Sequence, residues 1–198
     1  MFADPSKQVF RSLSPANMDH DPIFMICKQY AALHPDDTFS CSVFTHMSEK
    51  AKKFVKHYNE EHNRGLSEIA TTENTPSLQI HHMFMSSEFP EISFYIENLI
   101  ALTPNQHNSF AHPNNNTNVV DPKYRCKCLV NKLKTIRIDG EMNINEYDID
   151  RFKEVLAVGF SDESFKEIVG ADYDAIEEKI REICITKYKC NEESLSTS

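Results

Sequence analysis

The sequence lacks tryptophan altogether and contains four glycines among its 198 residues. So little glycine leaves few positions for the tight turns of an all-β fold, and the composition favours a helix-rich protein. No run approaches the roughly 18 consecutive apolar residues that a membrane-spanning helix requires. The start of the chain, from Met1 to Lys7, has neither the basic residues nor the apolar stretch of a secretory signal. We therefore expect a cytoplasmic protein of one domain, without membrane association.

The cysteines follow no pattern typical of structural zinc, because none of them forms a C-x-x-C pair. The pair Cys126 and Cys128 is too closely spaced for that purpose. In an intracellular protein, free reduced thiols are expected rather than disulfides. This expectation covers Cys27, Cys41, Cys126, Cys128, Cys184 and Cys190.

The net charge of −9 is distributed unevenly along the chain. The segment from Asp139 to Glu182 holds 14 acidic and 5 basic residues, and the rest of the chain is balanced. Such an acidic surface repels nucleic acid and would suit a protein partner. By contrast, the stretch from Pro122 to Ile138 has no acidic residue. Its basic residues indicate either a solvated helix face or a DNA-binding surface: Lys123, Arg125, Lys127, Lys132, Lys134 and Arg137.

Apolar spacing predicts helices on both sides of a short central region. A weak alternation from Thr38 to Phe44 predicts a strand before the second helix, for which Ser48 is a plausible N-cap. The predicted helices are Ile23–Leu33, Ser48–Asn63, Tyr124–Ile138, Asp148–Val158 (closed by Gly159) and Tyr173–Tyr188.

The central region predicts a strand over Leu78–Met85, a second strand over Leu99–Leu102, and a helix that starts at Pro104 and ends near His112. We therefore expect an α+β protein that is mostly helical. Residues 1–77 form an N-terminal helical region, residues 78–120 a small two-strand and helix motif, and residues 121–198 a C-terminal helical region.

A His/Asn/His constellation lies within this motif. Fifteen residues separate His82 from Asn98, eight separate Asn98 from His107, and His81 directly precedes His82. This arrangement resembles the HNH, or ββα-metal, nuclease family over the segment from Ile80 to His112. Two family features are absent here: the cysteines that hold a structural zinc in many members, and a proline shortly after the first histidine.

The resemblance implies a role for each matching residue. His82 corresponds to the general base, and Asn98 to the residue that orients it through hydrogen bonds to the backbone. His81 and His107 correspond to metal ligands. His112 corresponds either to a third ligand or phosphate contact, or to a surface or capping histidine. In an α-helix, residues five apart are rotated by about 140°, which would take His112 away from His107.

Strand geometry adds one condition to these roles, because neighbouring side chains of a strand point to opposite faces. His81 and His82 can therefore share one site only if the strand twists or ends there.

The resemblance implies a divalent-metal-dependent endonuclease that hydrolyses DNA phosphodiester bonds, in a restriction or other genome-defence setting. One ion, magnesium, manganese, nickel or zinc, is expected, without a structural zinc. The family also suggests a homodimer. Two alternatives remain open: a nuclease subunit or toxin active only within a larger defence complex, and a catalytically inactive nucleic-acid-binding relative.

Overall fold

The computed structural model describes residues 38–71 and 75–195, with side chains from residue 45 onward. The predicted helix over Ile23–Leu33 lies outside these residues. Within them the protein is mostly helical and has one two-stranded antiparallel sheet, so the predicted α+β class is confirmed. The major elements, in chain order, are α1 (Thr38–His62), β1 (Gln79–His82), β2 (Leu99–Leu102), α2 (Pro122–Glu141), α3 (Ile149–Phe160), α4 (Tyr173–Tyr188) and the short α5 (Glu192–Leu195).

Helix α1 begins at Thr38, so the predicted strand over Thr38–Phe44 is wrong, and Ser48 lies inside the helix rather than at its cap. The alternation in that stretch is too short to distinguish a strand from one face of a helix. Apolar residues recur every four positions from Val43 through Met47 to Ala51, which is the repeat of a helix face. Met47 and Ala51 are fully buried against the sheet side of the protein.

The sheet pairs β1 with β2, and His81 lies opposite Ile100 while His82 lies opposite Leu99. Strand β1 is shorter than predicted at both ends, because Leu78 is exposed and the chain turns away after His82. Strand β2 matches the prediction and is buried along its whole length. Two turns of 3₁₀-helix, Pro90–Ile92 and Ile96–Asn98, lie in the connection between the strands.

The C-terminal helices pack beside the sheet, and α2 contacts α4 most extensively. The prediction for α4 is confirmed at both ends. Helix α3 begins one residue after its predicted start, Asp148, which caps it instead, and it continues through Gly159 to Phe160. Gly159 is required for close packing rather than for ending the helix, because a Cβ there would lie 2.3 Å from the ring of Phe84.

Cys126 in α2 and Cys184 in α4 form a disulfide, with their Cα atoms 5.9 Å apart. The prediction that these cysteines are reduced thiols is therefore wrong in the structure. The sequence spacing gave no sign of the pairing, because 58 positions separate the two residues. Cys128 and Cys190 are free and buried.

No helix within residues 38–71 and 75–195 combines the length and the apolar character needed to cross a bilayer.

Candidate metal centre

Strand β1 ends at His82, and this ending places both of its histidines at one cavity of about 180 Å³. His81 is 2% exposed and points towards the segment that follows β2. His82 points the other way, towards α1 and the β1–β2 connection. The condition set by strand geometry is thus met, because the two side chains diverge at the last residues of the strand and still line the same cavity.

The segment Gln106–Ala111 that follows β2 is a π-helix, which we call the π segment. The backbone N–H of His112 donates to the carbonyl of His107 at 3.0 Å, which is the five-residue hydrogen bond of this helix type. Residues five apart therefore lie on the same face, and the rotation expected for an α-helix does not apply. His112 is 6% exposed and lies beside His107 rather than on the surface.

Gln106 fixes the start of the π segment. Its side-chain oxygen accepts from the N–H of Thr103 at 2.9 Å and from the hydroxyl of Ser67 at 2.5 Å. Its side-chain nitrogen donates to the carbonyl of Ile69 at 3.1 Å. At the other end, His112 precedes Pro113. The φ of −119° and ψ of 88° at His112 lie outside the α-helical region, which is disfavoured before proline.

His81, His107 and His112, which we call the histidine triad, converge on one point. One potential ligand atom from each ring lies within 4.8 Å of the other two. Two nitrogens bound to one ion at about 2.0–2.1 Å can lie at most about 4.2 Å apart. The three nitrogens would have to move closer together in order to bind one ion.

Hydrogen bonds leave the triad with free nitrogen lone pairs. The Nδ1–H of His112 donates to the carbonyl of Val119 at 2.8 Å, and the Nδ1–H of His107 donates to the side-chain oxygen of Asn108 at 2.8 Å. In both rings Nε2 is then the unprotonated nitrogen. The buried Nε2 of His81 has no hydrogen-bond partner among the described residues. In His107 and His112, an oxygen binds Nδ1, the ring nitrogen that points away from the centre of the triad. Such a hydrogen bond is typical of metal-binding histidines.

The electrostatics favour the neutral forms of His81 and His107. Burial lowers the pKa of His81 well below its usual value, and the neighbouring imidazoles and Arg125 lower it further. Burial also lowers the pKa of His107, although its bond to Asn108 acts in the opposite direction. Neutral imidazole is the form that binds metals. The chemistry of the donor set therefore fits one metal ion.

His82 is held by two oxygens at its Nε2, the carbonyl of Ser93 at 2.9 Å and the hydroxyl of Ser48 at 3.0 Å. A carbonyl only accepts, so Nε2 carries the proton and Nδ1 keeps its lone pair. Burial lowers the pKa of His82 to about 4, while the bond to Ser93 opposes that shift. The ring is therefore neutral near pH 7 and can accept a proton.

Asn98 is fully buried and fixes the connection between the strands. Its side-chain oxygen accepts from the N–H of Phe84 at 2.9 Å, and its nitrogen donates to the carbonyls of Phe84 and Ile92 at 3.0 and 3.2 Å. These bonds hold the backbone on both sides of the turn after His82. The carbonyl of Ser93, next to Ile92, is thereby held in place for His82.

Two residues of α1 belong to this site and were not predicted from the sequence. Ser48 contacts His82, and Lys52, one helical turn later, lines the cavity. Their spacing of four puts them on one face of α1. That spacing is visible in the sequence, but nothing in the sequence shows that this face packs against β1.

The predicted basic surface on α2 does not exist as a single patch. Lys132 is fully buried and bonds Glu68 at 3.0 Å, so its assignment as a DNA contact is wrong. Arg137 pairs with Asp174 at 2.9 Å and with Glu141, which places it in acidic surroundings.

The other basic residues of α2 lie in different environments. Arg125 is half-buried, with its guanidinium 5.2 Å from the ring centre of Phe84. Lys134 is also half-buried. Lys123 and Lys127 line a groove beside the π segment. Helix α4, helix α5 and the π segment pack against α2. The lysines and arginines of α2 therefore do not form one exposed face.

No protein-family model matches the sequence, and no curated protein or solved structure is significantly similar to it.

Proposed function

We propose that the protein is a divalent-metal-dependent endonuclease of the HNH type that hydrolyses phosphodiester bonds in DNA. The observation that carries this proposal is that His82 lines the same cavity as the histidine triad. A group able to accept a proton and a group of metal ligands then face the same small space. The order strand, long connection, strand, helix also agrees with the ββα arrangement of that family.

In the proposed reaction, a phosphate enters the cavity and His82 takes a proton from the attacking water through Nδ1. As the water oxygen bonds to phosphorus, the bond from phosphorus to the leaving oxygen breaks, and that oxygen takes a proton from a solvent water. The bonds from Ser93 and Ser48 hold the ring in the required tautomer and orientation. Lys52 is placed to attract the phosphate into the cavity. A divalent ion held by His81, His107 and His112 would supply neutralisation of the charge that builds on the phosphate. Asn98 acts as a positioning residue through the backbone that it binds.

A His82→Ala variant tests this proposal. We expect plasmid cleavage to fall by about 10²–10⁴-fold, the usual contribution of a general base. The metal affinity of the triad, measured by calorimetry, should stay near that of the parent protein. The assay uses purified protein with magnesium, manganese, nickel or zinc added separately. His57→Ala serves as the matched control, because His57 is an exposed histidine of α1. Parent-like cleavage by His82→Ala would refute the assignment.

A second candidate, a nuclease subunit that works within a larger complex, is favoured by the acidic side of α4. Asp174, Glu178 and Glu182 are exposed there and line one shallow depression. Such a surface repels DNA and suits a protein with basic residues. Cleavage by the isolated protein at all tested metals would contradict this candidate, whereas cleavage that requires a co-purified partner would support it.

A further inference from the structure

A second cavity, larger than the first, lies on the other side of the π segment. This groove has a volume of about 910 Å³, within the range of about 300–1,000 Å³ that is usual for ligand sites. The N-terminal half of α2 and the chain after α4 form its other walls. Ser109 and Phe110 of the π segment face this groove, while His107 faces the metal centre. The two cavities are therefore separated by a single turn of helix.

The groove is positively charged. Lys123 and Lys127 line it from α2, and Lys189 lines it from the end of α4. Of the described residues in its lining, Asp121 alone is acidic, and its carboxylate already accepts from the N–H of Tyr124 at 2.6 Å to cap α2. Three lysines around one groove attract a chain of phosphates.

An aromatic surface lies in the same groove. The side chain of Phe110 is 51% exposed. Its ring stacks on that of Tyr124, with centroids 5.7 Å apart and planes 22° from parallel. Tyr124 contacts one face of the Phe110 ring, and half of the Phe110 side chain remains exposed. A held aromatic ring between lysines is the arrangement that binds unpaired bases.

We propose that this groove binds a single-stranded segment of DNA that continues from the phosphate at the histidines. This inference rests on the proposed nuclease function, because the two cavities would hold one strand. The turn of helix between them is about 10 Å across with its side chains, a distance that a few nucleotides span. The base on Phe110 has to be unpaired in order to stack, so a fully paired duplex does not fit this groove.

Binding is measured by fluorescence anisotropy of a labelled single-stranded DNA oligonucleotide, with EDTA present so that metal and cleavage play no part. The test variant replaces Lys123, Lys127 and Lys189 by alanine together. The control variant replaces three exposed lysines elsewhere, Lys53, Lys56 and Lys166, and has the same net charge. Phe110→Ala tests the stacking alone.

We expect the parent protein to bind the single strand more tightly than the same sequence as a duplex. The groove variant should lose at least about tenfold in affinity, and the slope of log affinity against log salt should become shallower by about 2. Phe110→Ala should weaken binding by roughly tenfold. The control variant should lose much less.

Three results would overturn the inference: no binding of the single strand, tighter binding of the duplex, or equal affinity of the groove and control variants. Plasmid cleavage with metal is measured on the same preparations. Loss of binding in the groove variant without any cleavage by the parent would retain the groove and remove the proposal of a nuclease that acts alone. Cleavage by the parent with unchanged binding in the groove variant would retain the nuclease proposal and remove the groove.

Discussion

Two clusters of buried polar side chains flank the small sheet, and they are built in opposite ways. The ion-pair cluster comprises Glu68, Lys132, Thr135 and Tyr147. In it, Lys132 donates to Glu68 and to the hydroxyl of Tyr147, and Glu68 also accepts from the hydroxyl of Thr135 and the N–H of Ala101 in β2. In the histidine triad, the nitrogens that point inward have no such partner within the part of the chain that the structure describes, and the nitrogen of His81 is buried.

This difference separates a structural cluster from a candidate site. A buried charge is stable only where partners replace its hydration, and the ion-pair cluster supplies those partners within the chain. An unpaired buried nitrogen lowers the free energy of unfolding by about 1–3 kcal/mol, and His81 carries such a nitrogen. A metal ion would provide the missing partner.

The largest effect is expected in the ion-pair cluster. Lys132→Met leaves Glu68 buried without its cation, and we expect the free energy of unfolding to fall by about 3–5 kcal/mol in urea denaturation. Adding Glu68→Gln should recover more than half of this loss, because the buried charge is removed and an acceptor for Ala101 remains. A loss below 1 kcal/mol for Lys132→Met would show that this cluster does not stabilise the fold, and would break the comparison.

Glu97 has features of both clusters and should give the next largest effect. It is fully buried, accepts from the N–H of Asp148 at 2.9 Å, and keeps one oxygen without a partner among the described residues. Burial raises its pKa from about 4.5 to about 7. The folded state therefore holds a proton that the unfolded state releases, so stability should fall as the pH rises from 4.5 to 7.

Glu97→Gln removes this titration. The variant should match the parent near pH 4 and exceed its free energy of unfolding by up to about 3 kcal/mol near pH 8. Urea denaturation across that range measures the difference. Parallel pH profiles for the two proteins would contradict a raised pKa at Glu97.

Gly159→Ala tests how far the position of His82 depends on distant packing. The new methyl group overlaps the ring of Phe84, whose backbone is bound by Asn98. We expect a loss of about 1–3 kcal/mol in thermal or urea unfolding, which is the usual cost of overpacking. Adding Phe84→Leu should restore part of it. An unchanged stability would mean that the connection after β1 shifts freely, and that His82 is not firmly positioned.

The smallest effect on stability is expected at the triad itself. His81→Leu removes an unpaired buried nitrogen, so the metal-free protein should keep its free energy of unfolding or gain about 1 kcal/mol. Metal affinity by calorimetry should fall at least about 100-fold, because changes outside the ligands alone cost about 10–100-fold. A large loss of stability without metal would place the triad in the same structural class as the ion-pair cluster.

Local patterns predicted α2, α3, α4 and β2 well, because these elements have apolar residues at regular spacing. Helix α4 is an example, with Ile176 and Ile180 in register and fully buried. The start of α1 was predicted wrongly, because seven weakly alternating residues fit both the two-residue period of a strand and the 3.6-residue period of a helix. The disulfide between Cys126 and Cys184 was also missed, since packing of distant helices brings the two residues together.

The candidate site was predicted in its residues but not in its surroundings. His81, His82, Asn98 and His107 were identified through their spacing. Ser48 and Lys52 were not, because they come from another helix. Lys132 was assigned to the surface because sequence shows charge but not burial. Its partner Glu68 is 64 positions away.

The π segment also bears on how such sites are searched for in sequences. A π turn holds one residue more than an α turn, so histidines separated by four intervening residues can lie as close together as those separated by three. Deleting one residue between His107 and His112, for example Ser109, would return the segment to ordinary helical spacing with both rings still on one side. Search patterns that require three residues between the histidines overlook pairs with four residues between them. An insertion of one residue within the motif is compatible with an intact ligand pair.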